Sequence, residues 1–239
     1  MYGYKGKIGL LVPSLNTTLE PDFNRLAPEG VTVHSARVPT EVHGTFETLE
    51  KMGKNALAEA EQLKDLKPDV CVFGCTSASF LNGAVWTMAF ESKLEALLSV
   101  PSVTTAGAMV EALHACKLKN VGVVTPYVEA NNERLKKYLN EEGFEVDSFH
   151  GFEVLDMYSH ADIPEADIYR AGLQVGSKSS VDGVFIACTQ LKAVPIIKEL
   201  EQELQIPVLT AVQVSMWSAL KRLNIESNIV NYGSLFTRK

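Results

Sequence analysis

The stretch KIGLLVP at residues 7–13 returns as NVGVVTP at 120–126, and DVCVFGCTS at 69–77 returns as DGVFIACTQ at 182–190; both matches have a spacing of 113 residues. Two matches in the same order at one spacing indicate two copies of one folding unit. A third match, VPSVTT at 100–105 with IPVLTA at 206–211, has a spacing of 106, so the second copy reaches its last strand by a shorter connection. With 239 residues and 46% apolar content, the chain can give each copy a core of its own.

The repeated stretches are short and continuously apolar, as strands buried on both faces of a parallel sheet are. Between them, FETLEKMGKNALAEAEQLKDL and NNERLKKYLNEEGF carry apolar residues at spacings of three and four, the helical period. Strand alternating with helix predicts an α/β fold of two Rossmann-like halves related by a pseudo-twofold axis, each a parallel sheet covered by helices. No Gly/Ser-rich or Pro-rich linker separates the halves. The first is expected to span residues 1–104 plus 212–239, with a last helix near Val212–Leu223 returning to it, and the second 105–211. Ligands of open parallel sheets sit beyond the carboxyl ends of the strands. Cys75-Thr76 and Cys188-Thr189 both fall there, so each copy is expected to contribute one thiol to a shared cleft.

The net charge of −7 provides no broad positive field, which argues against a nucleic-acid partner. No apolar run reaches the roughly 18 residues of a bilayer crossing. The opening MYGYKGKIGLLVPS carries no cleavage signature, so a soluble, cytoplasmic protein with no membrane partner is expected. Four scattered cysteines do not form a disulfide framework, and the five histidines show no paired ligand spacing, so no metal is expected. Neither a G-x-x-x-x-G-K-[ST] loop nor a G-x-G-x-x-G follows the first strand, which removes nucleotide-type phosphate cradles.

A lone cysteine usually packs as a small hydrophobe, and Cys71 and Cys116, which have no cysteine at the matching repeat positions, are read that way. Cys75 and Cys188 share a strand-end position before a threonine, which points to chemistry. Backbone N–H groups of the following turn are expected to favour the thiolate there. Asn16, after the first strand, has an amide able to donate to a carboxylate; a helix N-cap is the structural alternative, with Thr17 and Glu20 forming a capping box. Tyr127 occupies the matching turn of the second half, where a phenol can donate to an oxyanion. Thr76, Ser77 and Thr189 offer hydroxyls around a carboxylate that gains enolate character, or simply serve the turns. His160 is the one histidine placed near the cleft, and a solvated role is expected for it. Trp86 and Trp217 are read as core.

At these residues the chain resembles the aspartate/glutamate racemase superfamily, and within it the branch of maleate cis-trans isomerases and arylmalonate decarboxylases. The matching pieces are GLLVPSLNTTLE, VFGCTSASF, VGVVTPY, EVLDMYSHADIP and IACTQL, in the family's order and over nearly the whole length. The resemblance implies an enzyme that needs no cofactor, with its site between two pseudo-symmetric halves and a small carboxylate as its partner. It implies Asn16 as a carboxylate binder, Cys75 as nucleophile, Tyr127 as the active-site tyrosine and Cys188 as second catalytic thiol, and it likens Thr76 and Ser77 to the decarboxylase hydroxyl pair. The sequence departs from the pattern at Met157, where the isomerases carry a substrate-binding Asn, and at Cys75, where the decarboxylase carries Gly.

The leading expectation is therefore cis-trans isomerisation of a small unsaturated dicarboxylate of the maleate type. Racemisation or decarboxylation next to a carboxylate is the alternative enzyme reading, and a small-anion binding module is the non-catalytic one. Assembly into a homo-oligomer is left open.

Overall fold

The apolar run at the start of the chain forms β1 (Gly6–Pro13), buried along almost its whole length. It lies between β2 (Val31–Val38) and β3 (Val70–Phe73), and β4 (Ser102–Thr104) follows β3; every pairing is parallel, in the order β2-β1-β3-β4. The structure is a computed structural model that describes residues 2–226 and 229–237; the parts of the expected first half at 1, 227–228 and 238–239 lie outside the described residues.

The second half repeats this sheet. β5 (Asn120–Thr125), β6 (Glu145–Gly151), β7 (Gly183–Ile186) and β8 (Val208–Thr210) pair in parallel in the order β6-β5-β7-β8. Even the register is duplicated: Leu10 stands opposite Val72, and Val123 stands opposite Phe185. The strand starts are fastened alike. Asp69 accepts from the Lys7 N–H at 2.8 Å, and Asp182 accepts from the N–H groups of Lys119 and Asn120 at 2.9 and 3.1 Å.

Nine α-helices cover the sheets among the described residues: α1 (Leu19–Leu26), α2 (Phe46–Ala60), α3 (Thr76–Phe80), α4 (Gly83–Leu98), α5 (Thr105–Ala115), α6 (Glu129–Glu141), α7 (Glu165–Gly176), α8 (Ile197–Leu204) and α9 (Ala211–Arg222). The two stretches of helical period became α2, which ends in a short 3₁₀ turn at Glu61–Leu63, and α6.

Alternation along the strands sorts the core. Leu10 and Val123 point into a central cluster shared by both sheets and filled by Met109 and Leu113 of α5 and Val214 and Met216 of α9. Leu11 and Val124 point outward, into separate clusters beneath α2 and α4 and beneath α7 and α8. Burying each such Leu or Val contributes about 1.5–3 kcal/mol, so the shared cluster binds the halves tightly together. Trp217 is partly buried at its margin beneath the Lys221 ammonium, and Trp86 is partly buried against the outer cluster under α2 and α4, stacked on Phe90 at 4.9 Å.

Helices α5 and α9 cross at the middle of the molecule. Ser215 meets Thr105 at 3.1 Å, and Glu111 receives Lys221 and Arg222 at 2.8 and 2.9 Å. Their first turns are capped by equivalent threonines: Thr104 accepts from the Gly107 N–H, and Thr210 from the Gln213 N–H, with Gln213 closing a capping box. No described helix is long and apolar enough to cross a membrane. Because Thr210 satisfies an otherwise unpartnered N–H, Thr210→Ala should lower the unfolding free energy by about 1 kcal/mol in urea titration; an unchanged midpoint would show that the cap contributes nothing.

Candidate active site

At the end of β1 the chain turns through Pro13–Asn16. The Asn16 side-chain oxygen accepts from the N–H groups of Thr18 and Leu19 at 3.0 and 2.8 Å, and so satisfies the first N–H of α1. This replaces the expected Thr17–Glu20 capping box, since the Glu20 carboxylate is held by Arg37. With its oxygen committed to the helix, Asn16 presents its NH₂ group, which donates to Thr189 of the other half at 3.1 Å. Asn16 thus serves both as an acceptor for α1 and as a donor at the strand end.

The turn after β3 begins with Gly74, where a Cβ would come within 2.3 Å of the Leu19 side chain. Cys75 follows in extended backbone and leads into α3. Its sulfur lies 3.7 Å from the Ser77 hydroxyl and is faced by the N–H groups of Ser77 and Ala78. Cys188 repeats the arrangement: its sulfur accepts from the Gln190 N–H at 3.4 Å and is faced by that of Leu191. Unlike Cys75, Cys188 has φ +87°, a left-handed conformation that costs a non-glycine residue on the order of 1–3 kcal/mol.

Both sulfurs line one cavity of about 40 Å³, roughly three or four waters' worth of space. All seven residues expected from the sequence, Asn16, Cys75, Thr76, Ser77, Tyr127, Cys188 and Thr189, lie on its wall. Among the described residues the lining contains no Lys, Arg, Asp or Glu; its polar groups are uncharged amides, hydroxyls, thiols and one imidazole.

Burial raises the Cys75 thiol and pushes Cys188 up to about 12, against the opposing pull of the facing N–H groups. Burial also raises Tyr127 well above an ordinary phenol, and the nearby thiols add to the shift. The turn N–H groups do favour the thiolates, as expected, but burial outweighs them: two or three dipoles do not offset the loss of water around a charge.

Tyr127 and Thr76 carry buried hydroxyls that complete no hydrogen bond of good geometry, so two donors remain uncommitted at the cavity. The Thr189 hydroxyl, by contrast, gives its hydrogen to the Gly74 carbonyl at 2.9 Å and accepts from Asn16.

Three further residues come to the wall: His160, which the sequence placed near the cleft but in a solvated role, and Asn131 and Gln190, which it did not announce. His160 is buried, not solvated: an Asp156 carboxylate that accepts from the Tyr158 N–H at 2.8 Å winds a 3₁₀ turn (Tyr158–Asp162), which aims the imidazole inward. Asn131, at the start of α6, donates to the Gly44 carbonyl at 2.8 Å. Gln190 fastens the halves together, accepting from the Thr17 N–H at 2.9 Å and donating to the Leu15 carbonyl at 3.0 Å. A Q following Cys-Thr was visible in the sequence, but nothing local revealed its partners.

Across the cavity mouth, the segment after β2 is tied down by Met157 N–H to the Val42 carbonyl at 2.8 Å and by Gly44 N–H to the Leu155 carbonyl at 3.3 Å. Met157 lines the wall beside Gly44, whose missing side chain makes room for it. No group of three or more His, Cys, Asp or Glu residues able to hold a metal occurs among the described residues.

The family model described as Amdase, arylmalonate decarboxylase, matches residues 8–236. The chain belongs to this family. It is 31% identical over 245 residues to a maleate isomerase of Pseudomonas putida, covering 97% of each chain. It is 24% identical over 217 residues to the arylmalonate decarboxylase of Bordetella bronchiseptica, covering 90% of this chain and 89% of the other. Among solved structures it superposes with a TM-score of 0.91, at 27% identity and 98% coverage of both chains, on a mutant Nocardia farcinica maleate cis-trans isomerase with a covalently bound succinylcysteine intermediate. This is the branch that the motifs resembled, and the α/β architecture of two parallel sheets is the one expected for it.

The backbone strain at position 188 can be measured within the family frame. Alanine normally outranks glycine in stability because glycine loses more chain entropy on folding. At φ +87° the order should invert, with Cys188→Gly unfolding about 1 kcal/mol higher than Cys188→Ala in urea. The ordinary order would show that the backbone at 188 is relaxed.

Proposed function

We propose that this chain converts maleate, or a small maleate-like cis-dicarboxylate, to its trans isomer without a cofactor. The observation that carries this reading is the pairing of Cys75 and Cys188, one from each half, on a single small cavity with uncharged donors. The covalently bound succinylcysteine of the Nocardia farcinica relative supports a thiol adduct as the intermediate.

In this reading Asn16 and Ser77 hold one carboxylate through N–H and O–H donors, and Thr189 takes part by fixing Asn16. Cys75 gives up its proton to a base on the cavity wall as its sulfur adds to one olefinic carbon. The displaced electron pair moves onto the neighbouring carbon and its carboxylate, where the uncommitted Tyr127 and Thr76 hydroxyls stabilise the enediolate. The Cys188 thiol protonates that carbon, and the former double bond, now single, rotates. Cys188 then removes the proton, the Cys75–carbon bond breaks, and the trans acid leaves. Met157 offers no hydrogen-bond donor, so the second carboxylate depends on Tyr127, Thr76 and Asn131. A cytoplasmic setting suits the chemistry, because reactive thiols persist there and no disulfide joins any of the four cysteines.

Proton NMR of the chain with maleate should show fumarate accumulating. Cys75→Ser should lower kcat/KM by at least about a thousandfold, and Tyr127→Phe by about a hundredfold. No fumarate, together with deuterium exchange at the α-carbon of a chiral acid in heavy water, would contradict isomerisation and point to two-thiol racemisation.

A further inference from the structure

The proposed isomerisation requires a proton to leave a thiol in a cavity that disfavours thiolates, so a base must stand close by. We propose that His160 takes the Cys188 thiol proton when substrate binds, which makes Cys188 and His160 a proton-sharing pair behind the Cys75 nucleophile. The inference rests on the isomerase reading for its turnover consequences, but its geometry is independent of the substrate.

His160 Nδ1 lies 3.6 Å from the Cys188 sulfur, within reach of an S–H donor. Nε2 lies 2.9 Å from the Val154 carbonyl, which can only accept. That contact places the imidazole hydrogen on Nε2 and leaves Nδ1 with a bare lone pair facing the thiol. The edge of the Tyr127 ring packs against the imidazole, with centroids 6.0 Å apart, so the ring is held from a second side.

No other group on the cavity wall can serve. The wall has no carboxylate and no amine, and its remaining titratable groups, Cys75 and Tyr127, are both raised by burial and are proton donors at neutral pH. Burial also lowers His160, while the Val154 carbonyl and the Asp156 carboxylate oppose that shift, so the empty site holds a neutral thiol beside a neutral imidazole.

The proton balance closes. The Cys188 S–H bond breaks and an N–H bond forms at Nδ1, with Nε2–H still donating to Val154. The Cys188 thiolate then takes the proton of Cys75, whose sulfur adds to the substrate. What remains is Cys75 bonded to carbon, Cys188 as the thiol that protonates the neighbouring carbon, and His160 as an imidazolium. That imidazolium supplies the one positive charge in a cavity lined by no Lys or Arg while a dianion occupies it. On elimination the protons return by the same route. His160 touches Cys188 and acts through it, so it is a positioning and proton-holding residue.

The test is alkylation of Cys188 by iodoacetamide, followed by peptide mass spectrometry between about pH 6 and pH 9. The titratable groups around the imidazole are Cys188, Tyr127, Cys75 across the cavity and Asp156 on its own segment. With His160 as base, the logarithm of the Cys188 rate should be nearly flat from about pH 7 to 9, because the neutral pair reacts. In His160→Gln, whose amide can still donate to Val154, the rate should rise about tenfold per pH unit and be about a hundredfold slower at pH 7. The same variant should lower kcat for maleate about a hundredfold and leave KM within about threefold.

A parent profile that itself rises tenfold per unit would overturn the pair, whether or not the variant folds. A variant that alkylates or turns over maleate as the parent does would overturn it as well, and would leave the isomerase reading intact. Conversely, no maleate turnover by a parent with the flat profile would support the pair and remove the isomerase reading.

Discussion

The site depends on a hydrogen-bonded chain that crosses from one half to the other: Asn16 donates to Thr189, and Thr189 donates to the carbonyl of Gly74, directly before Cys75. Thr18 reinforces it by donating to the Thr189 carbonyl at 2.8 Å. These bonds are buried, where leaving a partner unsatisfied costs about 1–3 kcal/mol, so the strand ends are held in one relative position. The shared apolar cluster beneath them would tolerate small shifts; the polar chain would not. Duplication thus does more than supply two thiols. It supplies two matching turns, of which the second completes a hydrogen bond of the first through Thr189 and the Gly74 carbonyl.

The second governing feature is electrical. Among the described residues the cavity is lined by neither Arg nor Lys, the usual partners of a bound anion. Neutral donors bind a carboxylate without paying beforehand to desolvate a fixed cation, and they leave the thiols protonated until a substrate arrives. Reactivity is thereby tied to occupancy, and the imidazole buried beside Cys188 is the one neutral base positioned to make that link.

Much of this arrangement was legible in the sequence. The repeat spacing alone implied duplicated sheets, and the observed registers differ by that same spacing. Asn16, Cys75, Tyr127 and Cys188 were visible because strand ends in parallel sheets are where sites form. The misses share a physical cause. His160 sits in a turn wound by the Asp156 side chain, and no periodic pattern reports which way a short irregular turn aims its residues. That burial outweighs the N–H groups facing the thiols was not legible, because the count of facing N–H groups is local, whereas burial comes from both halves at once. Asn16 was weighed as cap or binder; its side-chain oxygen holds the N–H groups leading into α1, and its nitrogen donates to Thr189.

The most direct measurement of the shared-cavity claim is a crystal structure of Cys188→Ser after exposure to maleate. Continuous density from the Cys75 sulfur to a succinyl group, with the residue 188 side chain facing it across the cavity, is the expected result. A diacid bound elsewhere, or residues 75 and 188 opening onto separate spaces, would contradict the account.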